Sequence, residues 1–449
     1  MNILLNLHFG LEGIVGPILY AAAILAFLLS IFRNPTIGLY VVIPLLPLQS
    51  ARYKLLAYPL GHAFIDIMLL GVTLGLLIKN EKPIAKTPVS ILLIITAIYT
   101  YLELWKGTAS LDLPAPLWFD DPRLADWKNN LLVPIALCFL VYAGIRTIRQ
   151  MKILMLLICT ATFLFNRTIY NVVSQRSYDT FSNDARAENG SIGSNGLAAF
   201  EVQMGFFLLG LFVYETRRYV RWAYFSLAMF CFYCVMYSFS RGAYVAFLVA
   251  WLFFGIVKMR KLLVFLVVFL AIWQAVVPPA VRERVTMTYD SQDHELESSA
   301  EARVTLWQDA MDVFRVDPVF GVGYLTYNYM HRTEYTDTHN LYVKILVETG
   351  IVGLVLFSLV MWRLYRMGWR LFRTATDPFL ASLGLGFTLW MVCALLTNIF
   401  GDRWNYIQIN GYMWTFCALV ARGLQIEETG EVDSEDSVED TGEVSEAFA

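Results

Sequence analysis

The sequence is poor in charged residues, and this shortage excludes most soluble folds. Only 16% of its 449 residues are Asp, Glu, Lys or Arg, against about 25% in ordinary soluble domains. Apolar residues make up 57% of the chain. They fall in blocks of about twenty residues, long enough to cross the ~30 Å hydrocarbon layer of a bilayer. The composition therefore predicts a polytopic, all-α integral membrane protein.

The sequence also lacks disulfide-type cysteines and a recognisable leader peptide. All six cysteines lie in apolar blocks, and none lies in a long polar loop. Cys231 and Cys234 have redox-type spacing, but inside an apolar run we interpret them as packing residues. The first apolar block has no basic region ahead of it and no obvious cleavage site, so we expect it to remain in the protein.

Negative charge is concentrated at the end of the chain. Ten of the 37 acidic residues and no basic residue fall between Glu427 and Glu446. A segment of this composition cannot bury enough apolar surface to fold. We therefore predict a transmembrane domain at 1–424 and a disordered acidic cytoplasmic tail at 425–449.

Thirteen segments are candidate membrane spans, of which the second is short and interrupted by prolines, so we expect 12 or 13 spans. Short basic connections fall on alternate turns, and by the positive-inside rule these turns face the cytoplasm. The candidate spans are 14–32, 35–50, 62–78, 88–106, 129–146, 152–173, 194–214, 220–239, 242–257, 262–279, 341–362, 378–400 and 404–421.

The longest loop on the predicted outer side, 280–340, carries an amphipathic stretch. Val304, Trp307, Met311 and Phe314 recur there at helical spacing, and we expect this helix to lie along the outer membrane surface. The sequence Asp317-Pro318 followed by Gly321-Val-Gly323 is predicted to end it.

Polar residues within the apolar segments cluster toward the predicted outer ends. Ionisable groups at membrane depth are costly and are functional candidates by default. The apolar inner halves do not favour an ion channel, which needs polar groups through the full depth. We predict instead an outward-facing polar cavity with an apolar floor, lined from the following set: His62, Asp66, Glu103, Arg167, Asn195, Glu201, Arg241, His339, Asn340, Glu348, Asn398, Asp402, Arg403 and Gln408.

Several arginines in this set indicate a phosphorylated ligand. A planar guanidinium pairs with phosphate oxygens in bidentate fashion and stays charged when partly desolvated. A lipid-linked pyrophosphate fits this position best, because its tail would lie in the bilayer while its head group meets the arginines.

Four short motifs resemble those of the O-antigen ligase and polymerase superfamily. They occur in the same order along the chain and on the same predicted side of the membrane as in that family. Each is short, and their order makes the set more specific than any one of them. They are Arg186-x3-Gly190-x2-Gly193-x-Asn195-x-Leu197-Ala198; Ser240-Arg241-Gly242-Ala-Tyr; Arg303-x3-Trp307 with Asp317-Pro318-x2-Gly321-x-Gly323; and Thr338-His339-Asn340-x-Tyr342 with Glu348-x-Gly350-Ile-Val-Gly353.

The resemblance implies a metal-independent glycosyltransferase without a cofactor. Such enzymes move a glycan from undecaprenyl pyrophosphate to an acceptor hydroxyl on the outer, periplasmic side of the bacterial inner membrane. Arg241 and Arg303 match arginines that hold the pyrophosphate, and His339 matches a histidine that activates the acceptor or assists the leaving group. The expected partners are the lipid-linked donor, a lipid, saccharide or protein acceptor, and the bilayer, with no nucleic acid.

Further residues at the same ends complete the predicted site as substrate-binding groups: Arg186, Asn195, Asn340, Glu348, Asp402 and Arg403. The family more often has Asn-Pro-Asn where this chain has Ser194-Asn195-Gly196, so the role of Asn195 is open. A metal site built from His331, Glu334, Asp337 and His339 is disfavoured by their spacing and by the neighbouring arginines.

Each of these residues also has a purely structural alternative. Arg241 could be an interfacial arginine at a helix turn, and Arg303 could lie on a solvated helix face. Asn340 could cap the next span, and Asp402 and Arg403 could form an ion pair at the rim. Gly321, Gly323, Gly350 and Gly353 are more typical of turns and packing than of ligand contacts.

Three functions compete for the whole chain. The first is an O-antigen ligase or polymerase, which the sequence does not separate. An anion transporter is the rival, since arginine-lined cavities also bind transported anions, but such transporters usually contain inverted repeats, and none is evident. A scaffold for a polysaccharide assembly complex is the third.

Overall fold

The structure is a computed structural model that describes residues 12–182, 186–187, 192–287, 298–330 and 338–430. Every regular element in these ranges is helical. The long helices and their connections are α1 Glu12–Phe32, α2 Pro35–Leu45, α3 Gln49–Leu55, α4 Phe64–Ile78, α5 Ser90–Ser110, α6 Pro122–Trp127, α7 Val133–Gly144, α8 Ile148–Val173, α9 Gly193–Tyr214, α10 Arg218–Tyr237, α11 Arg241–Val257, α12 Lys261–Val276, α13 Pro279–Thr286, α14 Ser298–Phe314, α15 Leu341–Thr374, α16 Pro378–Thr397 and α17 Ile407–Thr429.

Local sequence determines where several helices begin. Asn34, Asp121 and Asp377 each accept a hydrogen bond from a backbone amide of the first turn of α2, α6 and α16, and a proline follows each of them. Thr147 and Gln150 form a reciprocal capping box at the start of α8. These contacts satisfy amides that would otherwise lack a partner at the helix N-terminus.

The predicted all-α membrane class is confirmed. Each of the thirteen predicted segments is helical, although not all are full-length spans. In the described part of the chain, nine helices are long and apolar enough to cross a membrane. The count becomes ten if α12 and α13, which meet at 109°, form one broken span, and α2 and α11 are shorter apolar helices.

Helices α9 and α16 form the centre of the bundle. They are mostly buried, and they touch at Gly210 and Gly386, where a Cβ on Gly210 would lie 2.4 Å from the Cα of Gly386. Near this crossing, Phe207 stacks on Phe416 of α17 at 3.9 Å between ring centroids. Close backbone approach at small residues is the usual way that helices associate inside membranes.

Other helices expose their apolar surface to the surroundings. Within α12, all of whose residues are described, Leu266 alone is buried. Val264, Phe265 and Val267 are more than 60% exposed. Large apolar side chains on the outside of a helical bundle are what a lipid environment requires.

The last helix continues past the predicted domain boundary at residue 424. Helix α17 ends at Thr429, and Glu427 accepts hydrogen bonds from the backbone amides of Thr376 and Asp377. The first residues of the predicted tail therefore belong to the bundle. Residues 431–449, which hold most of the predicted disordered tail, lie outside the described residues.

Candidate functional site

The first two predicted substrate-binding residues contact each other. Arg186 Nη2 donates to Asn195 Oδ1 at 2.9 Å, and Arg186 Nε donates to the backbone carbonyl of Ser238 at 3.3 Å. Asn195 lies in the first turn of α9, and Ser238 follows the last turn of α10. Arg186 thus joins the start of α9 to the turn that carries Arg241.

The turn before Arg241 has an unusual backbone. Phe239 has a φ of 52°, in the left-handed region that non-glycine residues rarely adopt, and Ser240 is extended before α11 begins at Arg241. The Phe239 side chain is fully buried and packs on Tyr178 and Phe181. This packing holds the turn in place and leaves Arg241 half-buried.

The turn that carries His339 has the same backbone pattern. His339 has a φ of 50°, and Asn340 is extended before α15 begins. Asn340 Oδ1 accepts from the amides of Tyr342 and Val343 at 2.9 and 3.2 Å. The amide oxygen of Asn340 therefore caps the helix, as the structural alternative predicts, while His339 stays half-buried.

Arg303 lies on the helix that packs over the His339 turn. Trp307, one helical turn after Arg303, donates from Nε1 to the backbone carbonyl of Thr338 at 3.0 Å. The buried stripe of α14 is Leu306, Ala310 and Val313, next to the predicted stripe through Trp307 and Phe314. The tryptophan contact fixes α14 beside the residue that precedes His339.

Asp402 pairs with Lys344 and not with Arg403, the partner that the structural alternative gives it. Asp402 Oδ2 accepts from Lys344 Nζ at 2.9 Å, and the two residues are 8% and 5% exposed. Asp402 also accepts from Asn405 Nδ2 and from the Trp404 amide. Arg403 is half-buried and donates from Nη2 to the Phe400 carbonyl.

Helix α15 breaks at Gly350, where φ is 63° and ψ is −168°. The two parts meet so sharply that the rings of Tyr342 and Phe357 lie 6.1 Å apart, although fifteen residues of straight helix would span about 22 Å. Glu348, nine residues after His339, is therefore at the end of a short first part. The second part, from Ile351 to Thr374, is the one long enough to span.

A loop segment fills the break in α15. The amides of Val322 and Gly323 donate to the carbonyls of Val347 and Glu348, at 3.0 and 2.9 Å, and the amides of Ile351 and Val352 donate to Pro318 and Val319. Backbone groups released at a membrane helix break need such partners. The Asp317–Gly323 and Glu348–Gly353 motifs thus form one structural unit, as the packing alternative for their glycines predicts.

Lys106 of α5 anchors this loop segment. Its Nζ donates to Asp317 Oδ2 at 2.7 Å and to the Gly321 carbonyl at 2.6 Å, and it lies 5.6 Å from the Phe320 ring centroid. The hydrogen bond from Lys106 holds the pKa of the Asp317 carboxyl below its usual value, and the amide of Phe320 adds to the effect.

A partly open cavity of about 80 Å³ lies between α5, α7 and α15. Glu348, Asp402 and Lys344 line it, together with Trp404 and Asn405. Arg186, Arg241, Arg303 and His339 are outside this lining. The structure therefore brings the predicted residues to one end of the bundle in two groups, half-buried residues on turns and buried residues around a small cavity.

Contacts between helices connect these groups. Tyr342, close to His339, donates from its hydroxyl to the Leu395 carbonyl at 2.6 Å. Helix α16 ends at Thr397, and Phe400 follows it in the chain. Gly242 packs against Phe400 so closely that a Cβ on Gly242 would lie 2.7 Å from the Phe400 side chain. The turns that carry Arg241, His339 and Arg403 are thus linked through contacts with the end of α16 and the residues that follow it.

Sequence reasoning missed three buried cations at this end, Arg123 of α6, Lys344 and Arg284. The hydropathy of the sequence around Lys344 does not reveal it, because its neighbours are apolar. Arg284 of α13 is 9% exposed and lies 4.7 Å from the Phe181 ring centroid, beside the turn of Phe239. Its position depends on the sharp bend between α12 and α13, which hydropathy does not reveal.

No group of three or more His, Cys, Asp or Glu residues suited to a metal is found in the described ranges. His331, Glu334 and Asp337 lie outside them. The expected independence from metal therefore stays a prediction.

These features define a polytopic helical membrane protein with arginine- and histidine-bearing turns at one end of its bundle. Residues 224–358 match the family described as O-antigen ligase. This match includes the motifs of Arg241, Arg303 and His339, and it confirms the resemblance seen in the sequence. A search of curated proteins found no match.

Proposed function

We propose that the protein is a glycosyltransferase that moves a glycan from undecaprenyl pyrophosphate to an acceptor hydroxyl. The observation that carries this proposal is the set of contacts that link the turns of Arg241, His339 and Arg403 at one end of the bundle, with the Arg303 helix packed on the His339 turn. The O-antigen ligase match over 224–358 supports the same reaction class.

The chemistry of these side chains suits that reaction. A bond forms between the acceptor oxygen and the anomeric carbon of the donor sugar, and the bond from that carbon to the pyrophosphate oxygen breaks. The acceptor proton passes to His339, and undecaprenyl pyrophosphate departs with its charge. Arginines placed where that charge develops lower the barrier, because they need little reorganisation during the reaction.

The site faces the periplasm of the bacterial inner membrane in this proposal. The support is the short basic connections, which lie at the opposite end of the bundle from Arg241 and His339.

Arg186 and Asn195 act as one unit, since Asn195 receives a hydrogen bond from Arg186. We assign Arg186 and Arg403 to the anionic head group of the donor.

Single substitutions of Arg241, Arg303 and His339 by Ala test the proposal. Each should lower glycan transfer at least a hundredfold, because a preorganised charge or a proton acceptor is lost, typically a 10²–10⁴-fold effect. The measurement is transfer by purified protein from a lipid-linked glycan.

Arg315→Ala is the matched control, because Arg315 is an exposed loop arginine paired with Asp312. It should keep full activity. Full activity in all three test variants would disprove the site, and anion uptake by proteoliposomes that Arg241→Ala abolishes would favour a transporter.

Gel analysis of surface glycans after gene deletion separates ligase from polymerase: a ligase defect leaves unligated chains, and a polymerase defect leaves single repeats.

A further inference from the structure

An apolar groove of about 440 Å³ runs along the outside of the bundle between α15 and α16. Trp362, which is 57% exposed, forms part of its outer edge, so the groove opens away from the bundle. Its lining is Tyr342, Phe357, Ser358, Met361, Trp362, Tyr365, Val392 and Leu395.

One end of this groove leads to the candidate site. A narrow recess lined by Arg403 and Asn398 shares the side chains of Tyr342, Phe357 and Leu395 with the groove. The recess in turn shares Phe357 and Trp404 with the partly open cavity that Lys344 and Asp402 line. A molecule in the groove would therefore have one end beside a cation and the other along apolar walls.

The walls of the groove are suited to a long hydrocarbon chain. From Phe357 to Tyr365 the groove follows nine residues of α15, a rise of about 12 Å at 1.5 Å per step. The rings of Trp362 and Tyr365 stack 6.1 Å apart. In a bilayer the chain gains little from leaving lipid, so close packing against such side chains is what selects it.

We propose that this groove binds the polyprenyl chain of the pyrophosphate-linked donor, with Arg403 at the end where the head group emerges. This rests on the proposed function and names where the carrier lipid lies. Charge favours the donor over an uncharged acceptor chain, because the polar end of the groove carries a guanidinium.

Ser358→Trp tests the proposal by filling the groove from a position that lines the groove but neither the recess of Arg403 nor the cavity of Lys344 and Asp402. Its KM for an undecaprenyl-linked donor should rise about tenfold with kcat unchanged, because binding of the chain depends on packing. The KM for a donor with a single isoprene unit should stay at the wild-type value. Leu359→Trp is the matched control, since Leu359 is 49% exposed and outside the groove lining.

The outcomes of this comparison are distinct. An equal rise in KM for both donors, or no rise for either, would overturn the proposal. A rise confined to the KM for the acceptor would also overturn it, because the groove would then hold the acceptor's chain.

A capture experiment decides the matter without relying on transfer or on a variant. A photoreactive polyprenyl pyrophosphate that carries no glycan is irradiated with the wild-type protein in liposomes. Mass spectrometry should find label on 357–365 and 392–395, and label only elsewhere would refute the groove. Specific capture by a protein that shows no glycan transfer would keep the groove while removing the proposed function.

Discussion

Lys344 belongs to a buried ion pair, so its replacement should have a large energetic consequence. Its ammonium and the Asp402 carboxylate are both nearly inaccessible and 2.9 Å apart. Removing one member of a buried ion pair costs about 3–5 kcal/mol, because the other charge remains without compensation. The pair therefore makes the start of α15 and the 401–405 turn depend on each other.

Replacing Lys344 with Met should lower the free energy of unfolding by about 3 kcal/mol, and Asp402→Asn in addition should recover part of that loss. Unfolding in detergent of the two single variants and the double variant measures the coupling. Lys128→Met is the control, because the Lys128–Asp66 pair is partly exposed and should contribute less than about 1 kcal/mol. Equal losses for Lys344→Met and Lys128→Met would contradict this expectation.

Single residues show where sequence reasoning stops. The motifs predicted Arg241, Arg303 and His339 because a short local pattern identifies them. Lys344 was not predicted, because its apolar neighbours dominate the average hydropathy of that stretch. The sequence also does not identify the partner of Asp402, since the neighbouring Arg403 donates to the Phe400 carbonyl while Lys344, 58 residues earlier in the chain, forms the ion pair.

At the scale of elements, the break in α15 joins three parts of the chain. The loop segment at 317–323 supplies the hydrogen bonds at the break, and α5 supports it through Lys106 and through Tyr99, whose hydroxyl donates to the Thr349 carbonyl at 2.7 Å. The same loop leads from α14, which carries Arg303. Lys106 therefore helps to define where Arg303 lies relative to His339.

Lys106→Met should lower the melting temperature at neutral pH, and the difference from wild type should shrink in acid. The pKa of Asp317 is lowered in the folded state, so its stabilising effect is present above the unfolded carboxyl pKa of about 4 and is lost as pH falls through the lower folded value. Melting curves between pH 7 and pH 3 measure this.

The Asp317→Asn background provides the control, because it removes one of the two carboxyl groups beside Lys106 and leaves Glu103, whose Oε2 lies 3.8 Å from Lys106 Nζ. There, the shift in melting temperature that Lys106→Met produces should vary less with pH than in the wild-type background. A difference between wild type and Lys106→Met that stays constant from neutral pH into acid would show that Asp317 is not the group involved.

Element boundaries were partly predictable. Asp317-Pro318 correctly indicated the end of the amphipathic helix, which stops at Phe314. The break at Gly350 was not predicted, because a single glycine in an apolar run is common in membrane helices. Its role depends on Val319, whose carbonyl oxygen would be 2.2 Å from a Cβ at position 350, and this contact lies thirty-one residues away in the chain.

At the scale of the whole molecule, hydropathy predicted the helices better than the number of spans. All thirteen apolar segments are helical, but α2 and α11 are short and α12 bends into α13. Length and hydropathy describe a segment by itself, whereas bends and short helices are stabilised by neighbours. The collection of polar residues at one end was predictable because they follow the alternation of helix direction.

The orientation of the bundle makes a prediction that labelling can check. A cysteine at Asp120, in the exposed loop after α5, should react with a membrane-impermeant maleimide added to intact spheroplasts. A cysteine at Lys82, in the basic connection between α4 and α5, should react only after lysis, because basic short loops face the cytoplasm. The reverse pattern would place the site on the cytoplasmic side.

The contact between Gly210 and Gly386 has an effect at a distance. Asn195 lies fifteen residues from Gly210 along α9, about 22 Å, and α16 runs from Gly386 to Asn398 at the same end of the bundle. Because α9 and α16 are in contact at these two glycines, their packing there sets the distance between the ends of the two helices. A bulky side chain at either glycine would push the two helices apart. It would increase the distance between Asn195 and Asn398 without contacting a polar group.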